Sequence, residues 1–83
     1  MKRVILDGAA IETPGQLHDA LTEALGLPEW YGRNLDALHD CLTILKDVEL
    51  VLRNWPGDGY LARARRVMAD SAAENDRIQL TVE

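Results

Sequence analysis

The order of apolar segments along the chain restricts its fold more than any other feature of the sequence. Three short segments rich in Val, Ile and Leu have the length and composition of β-strands, and stretches with apolar residues at helical spacing separate them. The predicted strands cover residues 2–6, 49–55 and 77–83, and the predicted helices cover residues 14–25, 34 to 45 or 46, and 60–73. Because helical crossovers join parallel strands, the sequence predicts an α/β fold in which helices pack against a small three-stranded parallel sheet. The order of the strands in the sheet stays open.

Residues with strong positional preferences mark the ends of these elements. Thr13 is a favourable N-cap, Pro14 suits the first helical position, and Gly26 ends the helical repeat. Asp58 is placed to cap the third helix. In the second strand, Leu50–Leu52 are apolar at consecutive positions, which indicates burial on both faces of the sheet.

Size and composition limit the class of protein. With 83 residues, of which 47% are hydrophobic and 28% charged, the chain is expected to form one globular domain over residues 1–83. No apolar run approaches the ~18 residues of a membrane span, and the N-terminus lacks a signal-peptide pattern, so we expect a cytoplasmic protein without membrane contact. The single cysteine, Cys41, cannot form an internal disulfide and is too little for a common zinc site. No cofactor or metal is predicted.

The charge balance points to a class of partner. Nine Lys and Arg residues against fourteen Asp and Glu residues leave a net charge of −5. A nucleic acid needs a basic surface that replaces its counterions, so nucleic-acid binding is not expected. A cationic protein surface would instead be attracted.

The acids of the second predicted helix lie on one side of it. At about 100° per residue, its apolar residues share one face: Leu35, Leu38, Cys41, Leu42 and Leu45. Asp36 and Asp40 lie opposite, with Asp47 beside them on the wheel if the helix reaches that residue. The like-charged i,i+4 pair Asp36/Asp40 destabilises a helix by roughly 0.2–0.5 kcal/mol. A solvated face usually mixes charge signs, but an ordinary exposed polar face remains an open alternative.

Two adjacent aromatic residues precede this helix in a loop. Trp30 and Tyr31 follow Pro28, and exposed aromatics beside charges are typical anchors of protein interfaces. We expect Tyr31, more than Trp30, to fold back over the core. The acidic helix and the aromatic loop together are typical of a docking site for a cationic cleft.

Catalysis and metal binding are the competing functions. Asp36, Asp40 and His39 contain the groups that acid–base chemistry uses, but His39 projects about 60–100° away from both acids on the wheel. No nucleophile–base grouping or phosphate-binding glycine loop is present, so the chain is not expected to be an enzyme. Metal binding by Asp36, Asp40 and Asp47 is the other alternative, but one helix cannot surround a hard cation, so only weak binding is expected.

The segment LPEWYGRNLDALHDCLT, residues 27–43, resembles the signature of the barstar family of intracellular inhibitors of secreted ribonucleases. The resemblance extends over essentially the whole chain. It implies a barstar-like fold and the inhibition of a secreted microbial, guanyl-preferring ribonuclease by a monomer in a 1:1 complex. In that complex the acidic helix and aromatic loop would occupy the site of the RNA phosphates.

The resemblance also implies which residues bind the partner. Asp40 matches the carboxylate that enters the ribonuclease active site, and Asp36 matches a second interface carboxylate. Trp30 takes the place of a tyrosine that stacks on the catalytic histidine, and Asp70 falls where the family has a glutamate. The full implied set is Trp30, Gly32, Asn34, Leu35, Asp36, His39, Asp40, Thr43, Ile44 and Asp70.

This chain departs from the family pattern at several positions. His39 and Leu45 each replace a tryptophan, Glu49 replaces a proline, and Asp76 replaces a second cysteine. The changes at Trp30, His39 and Asp70 leave the identity of the ribonuclease open. The alternative interpretation is an immunity protein against a different cationic toxin.

Overall fold

Three parallel strands form one sheet at the centre of the structure. The computed structural model describes residues 1–83 and contains β1 (Lys2–Asp7), β2 (Val48–Arg53) and β3 (Ile78–Val82). The order in the sheet is β1-β2-β3, so that β2 pairs with both neighbours. The predicted α/β fold with a three-stranded parallel sheet is therefore confirmed, and the structure supplies the strand order.

Three α-helices connect these strands: α1 (Pro14–Leu25), α2 (Leu35–Leu42) and α3 (Gly59–Glu74). A short 3-10 turn at Gly8–Ala10, which the sequence did not predict, follows β1. The α1 boundaries are as predicted, since the Thr13 hydroxyl accepts a hydrogen bond from the Gln16 amide and Gly26 is left-handed, with φ of 64°. Asp58 precedes α3 as predicted but makes no side-chain capping bond.

The helices cover one face of the sheet. Alternate strand residues on that face are buried with the inner faces of the helices in one apolar core. The opposite face has no helix, and ion pairs from Arg3 to Glu49 and from Arg53 to Glu83 cross it. Even so, Leu50–Leu52 are fully buried, Val51 beneath that charged layer, as their consecutive apolar positions predicted.

Helix α2 ends earlier than predicted, at Leu42 instead of Leu45 or Lys46. The physical reason is Asn75, at the end of α3, whose side-chain amide donates to the carbonyl oxygens of Leu42 and Leu45 at 3.0 and 2.8 Å. These carbonyls are thereby satisfied outside a helix. The wheel position of Asp47 beside Asp36 and Asp40 is consequently wrong.

Asp47 instead belongs to the turn before β2. Its backbone is left-handed, with φ of 60°, and its carboxylate accepts two short hydrogen bonds from the Arg77 guanidinium. This bonding holds the pKa of Asp47 below its usual value. Similarly, β2 ends at Arg53 because Asn54 is left-handed and the Trp55 indole N–H donates to the Leu61 carbonyl.

Candidate protein-binding site

A buried hydrogen-bonded triad positions the loop between α1 and α2. His18 on α1 is 1% exposed, and its Nδ1 lies 2.6 Å from the Tyr31 hydroxyl while its Nε2 lies 2.8 Å from the Tyr60 hydroxyl on α3. Tyr31 is therefore buried, whereas the adjacent Trp30 is 74% exposed. The different orientations expected of Tyr31 and Trp30 are confirmed.

Burial sets the protonation states of the triad. Desolvation lowers the pKa of His18 and raises the pKa of Tyr31 to about 12. A neutral imidazole can donate to one tyrosine hydroxyl and accept from the other, so both ring nitrogens are satisfied without a buried charge. The triad is thus a structural element, and it ties the loop to α1 and α3.

Residues 32–34 complete the loop in one defined conformation. Arg33 is left-handed, with φ of 55°, and its guanidinium contacts the Asp19 carboxylate at 2.7 Å and the Gly15 carbonyl at 3.1 Å. A Cβ atom on Gly32 would stand 3.2 Å from the side-chain amide nitrogen (Nδ2) of Asn34. Asn34 in turn caps α2 by accepting a hydrogen bond from the Ala37 amide at 2.8 Å. These contacts, all within the chain, restrain the loop.

Helix α2 points its two acids into solvent. Leu38, Cys41 and Leu42 are buried against the core, and Asp36 and Asp40 lie on the exposed side, as the helical wheel predicted. The Asp40 side chain is 84% exposed. Neither acid forms an ion pair with a lysine or arginine of the chain.

Helix α3 lies beside α2 and adds two more carboxylates. His39 connects the helices, because its Nε2 lies 3.0 Å from a Glu74 carboxylate oxygen while its Nδ1 lies 3.9 Å from Asp40. Asp70, one turn before Glu74, is also exposed. Sequence reasoning missed Glu74; its i+4 spacing from Asp70 was the available signal. We call the surface formed by Asp36, Asp40, Asp70 and Glu74 the acidic face.

The remaining residues of the implied set lie around α2 and its preceding loop. Ile44 follows the helix and is 70% exposed, while Leu35 and Thr43 are half-buried. The Thr43 hydroxyl donates to the Asp40 carbonyl at 2.9 Å and so closes the last turn. The exposed apolar groups Trp30 and Ile44 thus stand before and after a helix with outward acids.

The acidic face is a projecting surface and not a pocket. The structure has two surface concavities, and neither is lined by a residue of the acidic face or by Trp30. The nearby Cys41 thiol is buried, and this burial raises its pKa, which disfavours the nucleophilic thiolate. The arrangement suits insertion into a cleft of another protein better than the binding of a small molecule.

Comparison with known proteins identifies relatives of the chain. The profile of the family described as Barstar (barnase inhibitor) matches residues 1–83. A Bacillus subtilis (strain 168) protein, named "Putative ribonuclease inhibitor YrdF", is 50% identical over 52 residues. This match covers 63% of the chain and 57% of the relative, so the chain spans little more than half the length of that curated protein. None of the helices combines the length and hydropathy that a membrane span requires.

Proposed function

This chain belongs to the barstar family of inhibitors, and on that basis we propose that it inhibits a secreted microbial ribonuclease by closing the enzyme's cationic active site with the acidic face. The proposed enzyme is of the barnase-like, guanyl-preferring class. The form that binds the enzyme is a monomer, which acts in the cytoplasm and forms a 1:1 complex. Members of the family are inhibitors and not enzymes, so no bond is made or broken.

The outward carboxylate of Asp40, which forms no ion pair with a lysine or arginine of the chain, is the observation that carries this proposal. Its side chain is 84% exposed, and its one ion-pair contact is with the His39 imidazole, whose Nδ1 lies 3.9 Å away. A ribonuclease cleft must be cationic because it binds phosphate, and arginine–carboxylate hydrogen bonds are short and strong. Asp40 would therefore take the place of an RNA phosphate, with Asp36 as a second charged contact.

The loop supplies the apolar part of the interface. Trp30 offers a large exposed ring, and the bonds of Tyr31, Arg33 and Asn34 hold the loop that carries it before any partner binds. A preorganised loop loses little conformational entropy on association. Trp30 would stack on a ring in the ribonuclease active site, and Ile44 would contact its rim.

The proposal is tested by titrating the chain into a guanyl-preferring microbial ribonuclease and measuring residual RNA cleavage. We expect cleavage to fall to zero at one equivalent. Asp40→Ala should weaken inhibition at least a hundredfold, the effect typical of removing a buried interfacial charge partner. Glu23→Ala removes an exposed acid of α1 outside the acidic face and should inhibit like the unsubstituted chain. Equal inhibition by Asp40→Ala and Glu23→Ala would contradict the proposal.

A second candidate, immunity against a different cationic toxin, is favoured by His39 and Leu45, which stand where the family has tryptophans. The two functions share the acidic face but differ in the enzyme that fits it. Failure to inhibit any of several microbial ribonucleases, together with Asp40-dependent neutralisation of another toxin, would select this candidate.

A further inference from the structure

Three arginines of α3 have no acidic partner. Arg63, Arg65 and Arg66 are exposed, and none of them forms an ion pair. The other arginines of the chain all do: Arg3, Arg33, Arg53 and Arg77. In a chain of net charge −5, α3 therefore carries a local excess of unpaired positive charge.

The two halves of α3 carry opposite charges. The three arginines lie in the N-terminal half, whereas Asp70 and Glu74 lie in the C-terminal half. Helix stability does not account for this order, because the macrodipole favours acids in the first turn and bases in the last, and α3 has neither. Arg66 and Asp70 are four residues apart, but the base precedes the acid, which is the less favourable order in a helix, and the two form no ion pair.

Arg66 and Asp70 lie together on the outward face of α3. Met68 points into the core, where it is fully buried. On a helical wheel, at about 100° per residue, Arg66 and Asp70 lie on either side of the opposite, outward direction. The positions around them are small, since Ala69 and Ala73 are exposed and Ala62 is half-buried. A groove of about 360 Å³ adjoins this face and is lined by Gly57, Ala62, Arg65, Arg66 and Ala69. Nothing within the chain covers the face, and its small side chains permit another helix to approach closely.

We infer that this face binds the same face of a second copy of the chain, with the two α3 helices antiparallel about a twofold axis. The axis sets Arg66 of each copy against Asp70 of the other, so the same ion pair forms twice. The arginine-rich half of each helix also meets the acidic half of its neighbour. A parallel pairing would instead bring like charges together.

A phosphate polymer fits this face less well. Asp70 and Glu74 share the helix with the arginines, and the whole chain is acidic, so an RNA backbone would meet repulsion beside every attractive contact. The inference rests on α3 alone and does not require the proposed function. It has one consequence for that function: pairing covers Asp70, so the dimer must dissociate before a monomer binds a ribonuclease through this residue.

Charge reversal of the two central residues tests the pairing by sedimentation equilibrium at low ionic strength, where the Debye length is about 30 Å. The unsubstituted chain should show a monomer–dimer equilibrium. Arg66→Glu alone and Asp70→Arg alone should each dimerise about tenfold more weakly, because each sets like charges together twice. An equimolar mixture of the two variants should recover dimerisation, because every opposed pair is then of opposite sign. Circular dichroism checks that both variants fold.

Lys2→Glu and Glu23→Arg are the matched controls. They change the net charge by the same amounts at exposed positions outside α3, and they should dimerise like the unsubstituted chain. Three results would overturn the inference. The unsubstituted chain could stay monomeric at millimolar concentration, the mixture could dimerise no more strongly than its separate variants, or the controls could lose as much dimerisation as the α3 variants. RNA binding lost in Arg66→Glu, without self-association, would instead assign the face to a polyanion.

Discussion

His39 on α2 and Glu74 on α3 form a side-chain contact between the two helices of the acidic face, with 3.0 Å between Nε2 and the carboxylate oxygen. The same imidazole lies 3.9 Å from Asp40. The polar side chain of His39 therefore lies between carboxylates of both helices.

Replacing Glu74 with Gln removes the charge of this side chain and keeps its shape. The pair is partly exposed, so the free energy of unfolding should change by less than about 1 kcal/mol. Association with a ribonuclease should slow by about threefold at low salt, because one charge that steers the encounter is lost. Stopped-flow measurements check this, with Glu23→Gln as the control. Equal association rates for Glu74→Gln and the control would exclude Glu74 from the interface.

Substitution of Tyr31 should mainly lower stability, whereas substitution of Trp30 should mainly weaken binding. Tyr31→Phe removes the hydroxyl 2.6 Å from His18 and leaves a buried ring nitrogen unpaired. The free energy of unfolding should therefore fall by about 1–3 kcal/mol. Trp30→Ala alters an exposed side chain and should change stability by less than about 0.5 kcal/mol while weakening inhibition at least tenfold. Urea unfolding and inhibition titrations measure the two effects. A Trp30→Ala variant that is unstable but inhibits normally would reverse these assignments.

The buried His18 should make stability depend on pH between about 5 and 7. Its pKa is lowered in the folded protein, so below about pH 6.5 the unfolded chain binds a proton that the folded chain does not. The free energy of unfolding should therefore be constant above this pH and fall as the pH decreases, with a slope of at most about 1.4 kcal/mol per pH unit. Unfolding curves across this range check it.

The matched variant for this prediction is His18→Gln, which cannot titrate. Its overall stability should be lower, but its slope between pH 5 and 7 should disappear. Asp7 and Asp47, whose pKa values are lowered by hydrogen bonds, contribute only at more acidic pH. A slope that persists in His18→Gln would place the titrating group elsewhere.

Association should also depend strongly on salt. The acids of the acidic face are exposed and their attraction to a cationic cleft is screened over about 8–10 Å at moderate ionic strength. We expect the association rate constant to fall steeply with added salt while the dissociation rate constant changes little. An association rate that salt does not alter would indicate a mainly apolar interface.

Local signals in the sequence sufficed for α1, because Thr13 and Gly26 stand at its two ends and act through their own backbone neighbours. The end of α2 was not predictable in the same way. It depends on Asn75, which is thirty residues or more away along the chain and reaches the carbonyl groups of Leu42 and Leu45 only after α3 has packed. The boundary of α2 is therefore set by tertiary contacts.

The candidate site likewise has a part that follows from local sequence and a part that depends on tertiary contacts. The outward placement of Asp36 and Asp40 follows from helical periodicity and was predictable. The addition of Glu74 was not, because it requires α3 to lie beside α2 so that His39 can reach it. The role of His18 depends likewise on two tyrosines from different segments of the chain.

The crystal structure of the chain bound to a guanyl-preferring ribonuclease is the most direct test of the central claim. We expect the Asp40 carboxylate inside the catalytic cleft, within about 3 Å of the cationic groups that bind phosphate, and the Trp30 ring against the active site. A complex in which residues 30–44 remain exposed to solvent would contradict the account.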